Sequence, residues 1–348
     1  MPKLFFLLSG ENATLPAAEV MAILEAEGYP YTNAAELDQV LRLESELDSV
    51  KSVQVRSAYT RVSALELFVS DANMESILGA SAKTDFRSVL KEGESFVVRI
   101  NRIKNYADAE LNTMMLEIQL GTQILRQTPG AKVNLKNPDK TFLGVITNNK
   151  LILGLKLTDI TSKTFSERRP RKKPFFHPSA MPSKMARCMV NLAHAKAEAV
   201  LLDPFCGTGT SLIEATFIGC RAVGVDAQKR MILGTKKNLA HFNISAEGLI
   251  WADSRKIPLK EADAIVTDPP YGRSSSTLKS TTKQLVQDVL VASSKLLGVG
   301  QRICIASPKT LNITRLGKEL GFRHVESHFA YVHATLTREI AVFEKVKS

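Results

Sequence analysis

The sequence predicts an α/β protein. Its C-terminal half reads as a doubly wound, mostly parallel sheet of seven strands with the last antiparallel, and smaller α+β regions precede it. Three observations carry this. Apolar, strand-like runs recur at 199–205, 221–226, 249–253, 264–270, 301–307, 324–334 and 338–346, with helical runs between the earlier ones. The stretch Asp203-Pro204-Phe205-Cys206-Gly207-Thr208-Gly209 follows the first run and leads into helical spacing over Thr210 to Cys220. The stretch Asp268-Pro269-Pro270-Tyr271-Gly272 follows the fourth. Strand, glycine turn, helix is a geometry that holds a nucleotide-like ligand at the C-terminal edge of an open sheet. The last two runs are joined by a short turn near Leu336, and a parallel crossover needs a dozen residues or more.

At 348 residues with 44% hydrophobic content, the chain has room for two or three domains with real cores. No apolar stretch reaches the roughly 18 residues of a membrane span. Lys3 to Leu8 is too short for a signal peptide and reads as a first buried strand. The cysteines, Cys188, Cys206, Cys220 and Cys304, lack CxxC spacing, so neither a metal site nor a disulfide framework is expected, and the setting is reduced and cytoplasmic. The net charge is +11, but residues 1–50 hold nine acids against Lys3 and Arg42, a net of −7, which leaves +18 on the remainder. A basic body suggests a polyanionic partner; a merely soluble basic surface is the plain alternative.

In chain order, residues 1–80 form a small α+β unit, ferredoxin-like, with strands at Leu4–Leu8, Val40–Leu43 and Ala64–Val69. A helix from Leu15 to Glu27 ends at Gly28-Tyr29-Pro30. The segment Val50 to Tyr59 fits strand or helix. From 81 to 160 come a strand at Ser95 to Ile100, helical spacing from Leu111 to Leu125, and two strands, Thr141 to Thr147 and Leu151 to Leu157, joined by an Asn-rich hairpin turn. Phe96 to Arg102, with the run Val133-Asn134-Leu135-Lys136-Asn137-Pro138-Asp139, resembles the THUMP domain, an RNA-binding module of tRNA-modifying enzymes. That resemblance marks Arg99, Arg102, Lys132 and Lys136 as RNA contacts. Residues 161–174 read as a basic linker, in which Arg168, Arg169, Arg171, Lys172 and Lys173 form either a phosphate-contacting strap or a solvated tether.

The D-P-F-x-G-x-G and D-P-P-Y stretches together resemble the signatures of class I S-adenosylmethionine methyltransferases that modify exocyclic amines. The resemblance implies a Rossmann-like domain over 175–348 that uses S-adenosylmethionine. Gly207 and Gly209 would admit the methionine end, with Phe205, Cys206, Thr208 and Thr210 around it. Asp203 is placed for the ammonium and Asp226, with Ala227 beside it, for the ribose hydroxyls. Asp253, with Ser254, suits the adenine amine. Each acid also fits a helix N-cap. His177, Pro178, Ser179 and Met181 precede the first strand and would close the methionine end. His177 reads as a turn residue rather than a general base.

An exocyclic amine is a weak nucleophile because its lone pair is delocalised into the ring. The Asp268 carboxylate and Pro269 carbonyl can accept its two N–H bonds, Pro270 keeps those acceptors rigid, and Tyr271 can stack on the base. With the run Phe176 to Arg187 (F-H-P-x-x-M-P-x-x-x-A-R), the whole chain resembles the archaeal THUMP-type tRNA guanosine-10 N2-methyltransferase family. That implies tRNA as partner, read at its acceptor stem and D-stem; a monomer is expected, with a partner subunit left open. Open alternatives are a THUMP enzyme acting on guanosine 6, a DNA or RNA amino-methyltransferase with another target, and a non-enzymatic RNA binder. Because all the cofactor acids lie beyond residue 175, a fragment starting there is expected to bind the cofactor alone.

Overall fold

The computed structural model describes residues 1–104, 111–270, 281–334 and 336–346, which divide into two compact units. Tyr271 and the turn residue before Leu336 lie outside the described residues.

The first unit carries β1 (Lys3–Leu8), the start of α1 (Leu15–Glu27), β2 (Tyr31–Leu37), β3 (Val40–Ser45), most of α2 (Ser49–Arg56), β4 (Thr60–Asp71) and α3 (Met74–Ala82). It continues through β5 (Ser95–Arg102), α4 (Thr113–Gln127), β6 (Lys132–Val133), β7 (Lys140–Thr147) and β8 (Lys150–Asp159). All eight strands make one sheet in the order β2-β3-β1-β4-β8-β7-β5-β6. The expected boundary at residue 80 therefore does not interrupt the sheet, because β4 pairs with β1 on one side and β8 on the other. One face buries Phe5, Val40, Ala64 and Ile152 together. The other buries Phe86, Phe96 and Phe142, whose rings meet edge to face at 5.5 and 5.7 Å. Asn148 and Asn149 take left-handed backbone, φ 47° and 57°, which suits the tight turn between β7 and β8. The ambiguous segment from Val50 begins as helix α2, and the strand β2 and helix α3 were not expected.

The second unit holds α5 (Lys163–Glu167), α6 (Ser183–Leu192), β9 (Val200–Asp203), α7 (Thr210–Thr216), β10 (Arg221–Asp226), α8 (Lys229–His241) and β11 (Gly248–Trp251). After these come β12 (Ala264–Thr267), α9 (Thr282–Leu296), β13 (Arg302–Pro308), α10 (Ile313–Glu319), β14 (Phe322–His333) and β15 (Leu336–Lys345). The order is β11-β10-β9-β12-β13-β15-β14. Five strands are parallel, and β15 runs antiparallel to both its neighbours. Chain order reverses between β9 and β12, which opens a crevice at their C-terminal ends. Leu202, Ile265, Ile303 and Phe343 are fully buried in its core.

Residues 18–28 and 55–59 also belong to this second unit. A buried polar network fastens them. Glu19, fully buried, accepts from Ser57 Oγ at 2.8 Å, Ala58 N at 3.0 Å, Tyr59 N at 2.9 Å and Asn191 Nδ2 at 2.9 Å. Burial raises its carboxyl above the ordinary range, against the pull of these donors. Arg56 donates to Asn191 Oδ1 at 3.1 Å and Glu27 Oε1 at 2.5 Å. Arg187 donates to the Arg56 carbonyl at 3.2 Å and pairs with Glu214 at 3.0 Å. A fragment starting at residue 175 would keep Glu214 but lose Glu19 and Arg56, the partners of Asn191 and Arg187 that lie before it.

Candidate active site at the strand switch point

The loop after β9 is shaped by its own backbone bonds. Cys206 N donates to Val225 O at 2.9 Å, and Gly209 N donates to Cys206 O at 2.7 Å. Gly207 and Gly209 both take positive φ, 51° and 78°. A Cβ on Gly209 would stand 2.6 Å from Thr235 Cγ2. Thr235 in turn donates to the Gly207 carbonyl at 2.8 Å, fixing α8 against the loop. Gly209 thus serves close packing against Thr235, between Thr208 and Thr210, which line the cavity.

The crevice is a cavity of about 500 Å³. His177, Pro178, Ser179, Met181, Asp203, Phe205, Cys206, Gly207, Thr208, Thr210, Asp226, Ala227, Asp253, Ser254, Asp268, Pro269 and Pro270 all line it. The structure therefore gathers residues spread over more than ninety positions around one space. Burial pushes the Cys206 thiol well above its ordinary pKa, so it stays a small neutral wall. His177 Nδ1 accepts from Ser179 N at 3.3 Å and lies 2.7 Å from Ser179 Oγ, which closes a local turn.

The four acids sit in different surroundings. Asp203 is fully enclosed, and desolvation raises its pKa to about 7 although Phe205 N donates to it at 3.1 Å and Ser211 also lowers it. Asp226 takes Gly207 N on one oxygen at 3.1 Å and Gln228 N on the other at 2.8 Å. Each oxygen keeps further acceptor capacity. Burial raises its pKa as well. Both oxygens of Asp253 are held by Arg255, at 2.9 and 2.5 Å, and this pair lowers its pKa. Asp268 Oδ2 meets Arg338 Nη2 at 3.2 Å.

Arg338 was missed by sequence reading, as were Ser211, Gln228, Met231, Arg255, Leu285, Val332, His333 and Leu336, which also line the cavity. Ser211, Gln228 and Arg255 lie within two residues of expected positions and proximity could have found them. Arg338 sits seventy residues after Asp268, and only the antiparallel pairing of β15 with β13 brings it there.

The expected RNA contacts divide. Lys132 and Lys136 are exposed, while Arg99 donates to Leu135 O at 3.1 Å and Arg102 to Leu111 O. In the basic stretch, Arg169, Arg171 and Lys172 are exposed. Arg168 is not free to act as a strap, because it makes a two-pronged pair with the buried Glu214 at 2.8 and 3.0 Å. Lys173 is buried and donates to Thr210 Oγ1 at 2.6 Å, and desolvation lowers its pKa to about 8. The stretch also folds locally as α5 and a 3₁₀ turn over Pro170–Lys172, with Phe165 buried.

Residues 170–338 match the family described as RMKL-like, methyltransferase domain, and residues 71–156 match the THUMP domain. The chain is 36% identical over 345 residues to the tRNA (guanine(10)-N2)-dimethyltransferase of Methanothermobacter thermautotrophicus, covering 99% of this chain and 100% of that protein. It is 23% identical over 265 residues to the tRNA (guanine(6)-N2)-methyltransferase of Methanocaldococcus jannaschii, covering 64% and 68%. The crystal structure of TrmN from Thermus thermophilus shares its fold, with a TM-score of 0.53 at 20% identity over 99% of this chain and 100% of that one. Among the described residues, no helix is long and apolar enough to cross a membrane.

Proposed function

The chain belongs to the tRNA (guanine(10)-N2)-dimethyltransferase family, and on that premise we propose that it methylates N2 of guanosine 10 in tRNA, once and then again, with S-adenosylmethionine as donor. The observation that carries this reading is the shared cavity. Three acids on successive strand ends (Asp203, Asp226, Asp253) and the Asp268-Pro269 acceptor pair face one space. Bound there, the cofactor supplies an electrophilic methyl group. Asp226 offers its remaining lone pairs to the ribose hydroxyls, and Asp203 faces the methionine ammonium. Asp253 turns from Arg255 towards the adenine amine.

Asp268 and the Pro269 carbonyl accept the N–H bonds of the guanine amine. They draw its lone pair out of the ring, and Asp268 takes the proton as the N–CH₃ bond forms. Arg338 holds the carboxylate in place. After the first transfer one N–H remains, and a single acceptor then suffices. Alignment of this kind supplies roughly 7–11 kcal/mol of barrier reduction. Tyr271, which follows Pro270 in sequence, is assigned to stack on the base by the D-P-P-Y resemblance.

The THUMP domain, with exposed Arg169, Arg171 and Lys172, contacts tRNA phosphates and the acceptor stem, and the enzyme works as a monomer in the cytoplasm. The relative acting on guanosine 6 matches less closely over a shorter span, which favours guanosine 10. Incubating unmodified tRNA with the protein and cofactor, then mapping methyl groups by mass spectrometry of nuclease fragments, tests the assignment. Mass gains confined to guanosine 6, or none on tRNA, overturn it.

A further inference from the structure

We propose that the exposed end of β14 is a docking platform for the RNA strand that carries the target nucleoside, with Tyr331 and Phe329 stacking on bases beside the one entering the cavity. The proposal rests on the RNA-methylating reading above and names a surface which that reading leaves unassigned.

Sequence dictates the first part. In a strand, residues two apart share a face. Phe329 and Tyr331 are exposed, 47% and 74%, while His328 and Ala330 between and beside them are buried. Large aromatic side chains standing in solvent on a terminal strand are costly in a protein that remains alone. Such edges are usually blunted with lysine or proline, because they template association. β14 ends the sheet order, so its outer edge has no strand neighbour among the described residues.

The register supplies the second part. Pairing between β14 and β15 shifts between Tyr331 and His333. A shift of this kind re-aims the side chains after it, and such irregularities gather beside active sites. Here it directs Val332 and His333 into the cavity lining, next to Leu336 and Arg338. The aromatic pair is therefore continuous with the mouth of the space that holds Asp268 and Pro269. A base leaving a stacked strand to reach that space leaves its neighbours unstacked, and aromatic rings at the rim replace the lost stacking.

Charge supplies the third part. Lys309 Nζ lies 5.1 Å from the centre of the Phe329 ring. A cation beside exposed rings offers a phosphate contact at the same step where bases stack. An apolar protein partner would match the rings but not the lysine on a chain of net charge +11.

The test uses the full chain and an unmodified tRNA transcript, with Tyr331→Ala, Tyr331→Trp and Lys309→Ala variants. Fluorescence anisotropy gives tRNA affinity, single-turnover assays give the methylation rate, and calorimetry gives S-adenosylhomocysteine affinity. Tyr331→Ala should weaken tRNA binding roughly 5- to 160-fold, the loss of one base stack. Tyr331→Trp should stay within about twofold of the parent, since any flat ring stacks. Homocysteine-cofactor affinity and melting temperature should match the parent in all three. Parental tRNA affinity in Tyr331→Ala, or a Trp variant as weak as Ala, overturns the platform. So does a change of sedimentation with no change in tRNA binding, which would make the surface a protein interface. A parent that binds tRNA with this stacking signature yet transfers no methyl group refutes the catalytic reading alone. A parent that does not bind tRNA refutes both.

Discussion

Cofactor binding should depend on pH through Asp203. Its pKa near 7 arises from enclosure, with donors from Phe205 and Ser211 only partly offsetting the desolvation. The sign follows directly. The folded pKa lies above the unfolded one, so between pH 4 and 7 the folded protein holds the extra proton. Stability of the free protein then falls as pH rises through that window, by about 4 kcal/mol in all. A ligand ammonium needs the ionised form. At pH 6 about one molecule in ten has it, and at pH 8 about nine in ten, so the apparent Kd should tighten roughly tenfold between them. Calorimetric titration of S-adenosylhomocysteine at pH 6, 7 and 8 measures this. At pH 6 binding should release close to one proton, visible as an enthalpy that tracks the buffer. His177 and His333 also line the cavity, so Asp203→Asn is the control. That variant should bind weakly and without the slope. A flat profile in the parent, or the same slope in Asp203→Asn, would refute the reasoning.

Three further outcomes follow from the same geometry. Asp268→Ala should lower kcat and kcat/KM together by roughly 10²-fold or more, with cofactor affinity and melting temperature kept. Asp268→Asn should retain more activity than Ala, and a folded, cofactor-binding Ala variant at the parental rate removes Asp268 from catalysis. Glu19→Ala strands four buried donors and should cost about 3–5 kcal/mol, lowering the melting temperature of the second unit by roughly 6–20 °C; a shift of only a degree or two in calorimetric scans would contradict the network. Replacing Arg169, Arg171 and Lys172 by Ser should weaken tRNA binding and flatten its log–log salt slope by roughly 2–3, while cofactor affinity stays level. An unchanged slope would make these cations bystanders.

The second sheet was legible because its strands are short apolar runs separated by helices. The two proline-containing stretches carry their chemistry in contiguous residues. What escaped depends on distant partners. β2 has the pattern Y-T-N-A-A-E-L, mostly exposed, and becomes a strand only through its register with β3. Arg168 and Lys173 read as strap or tether cations because their acceptors, Glu214 and Thr210, lie 46 and 37 positions further on. Arg338 looked like one charge on a terminal strand, and nothing local announces Asp268 as its partner. Gly209 matched its motif, yet the reason for glycine there is the neighbouring Thr235.

The network around Glu19 bears on how the chain is made. Glu19 and Asn191 are 172 positions apart. At roughly 5–20 residues per second, a ribosome releases Glu19 about 9–34 s before its partner. During that interval β8 emerges and the first sheet can close, while the acid and its helix wait in water without their final contacts. Synthesis therefore cannot finish one unit before starting the other. A recombination event that exchanged everything after residue 161 as a cassette would deliver the cavity but leave behind two segments of the same compact unit.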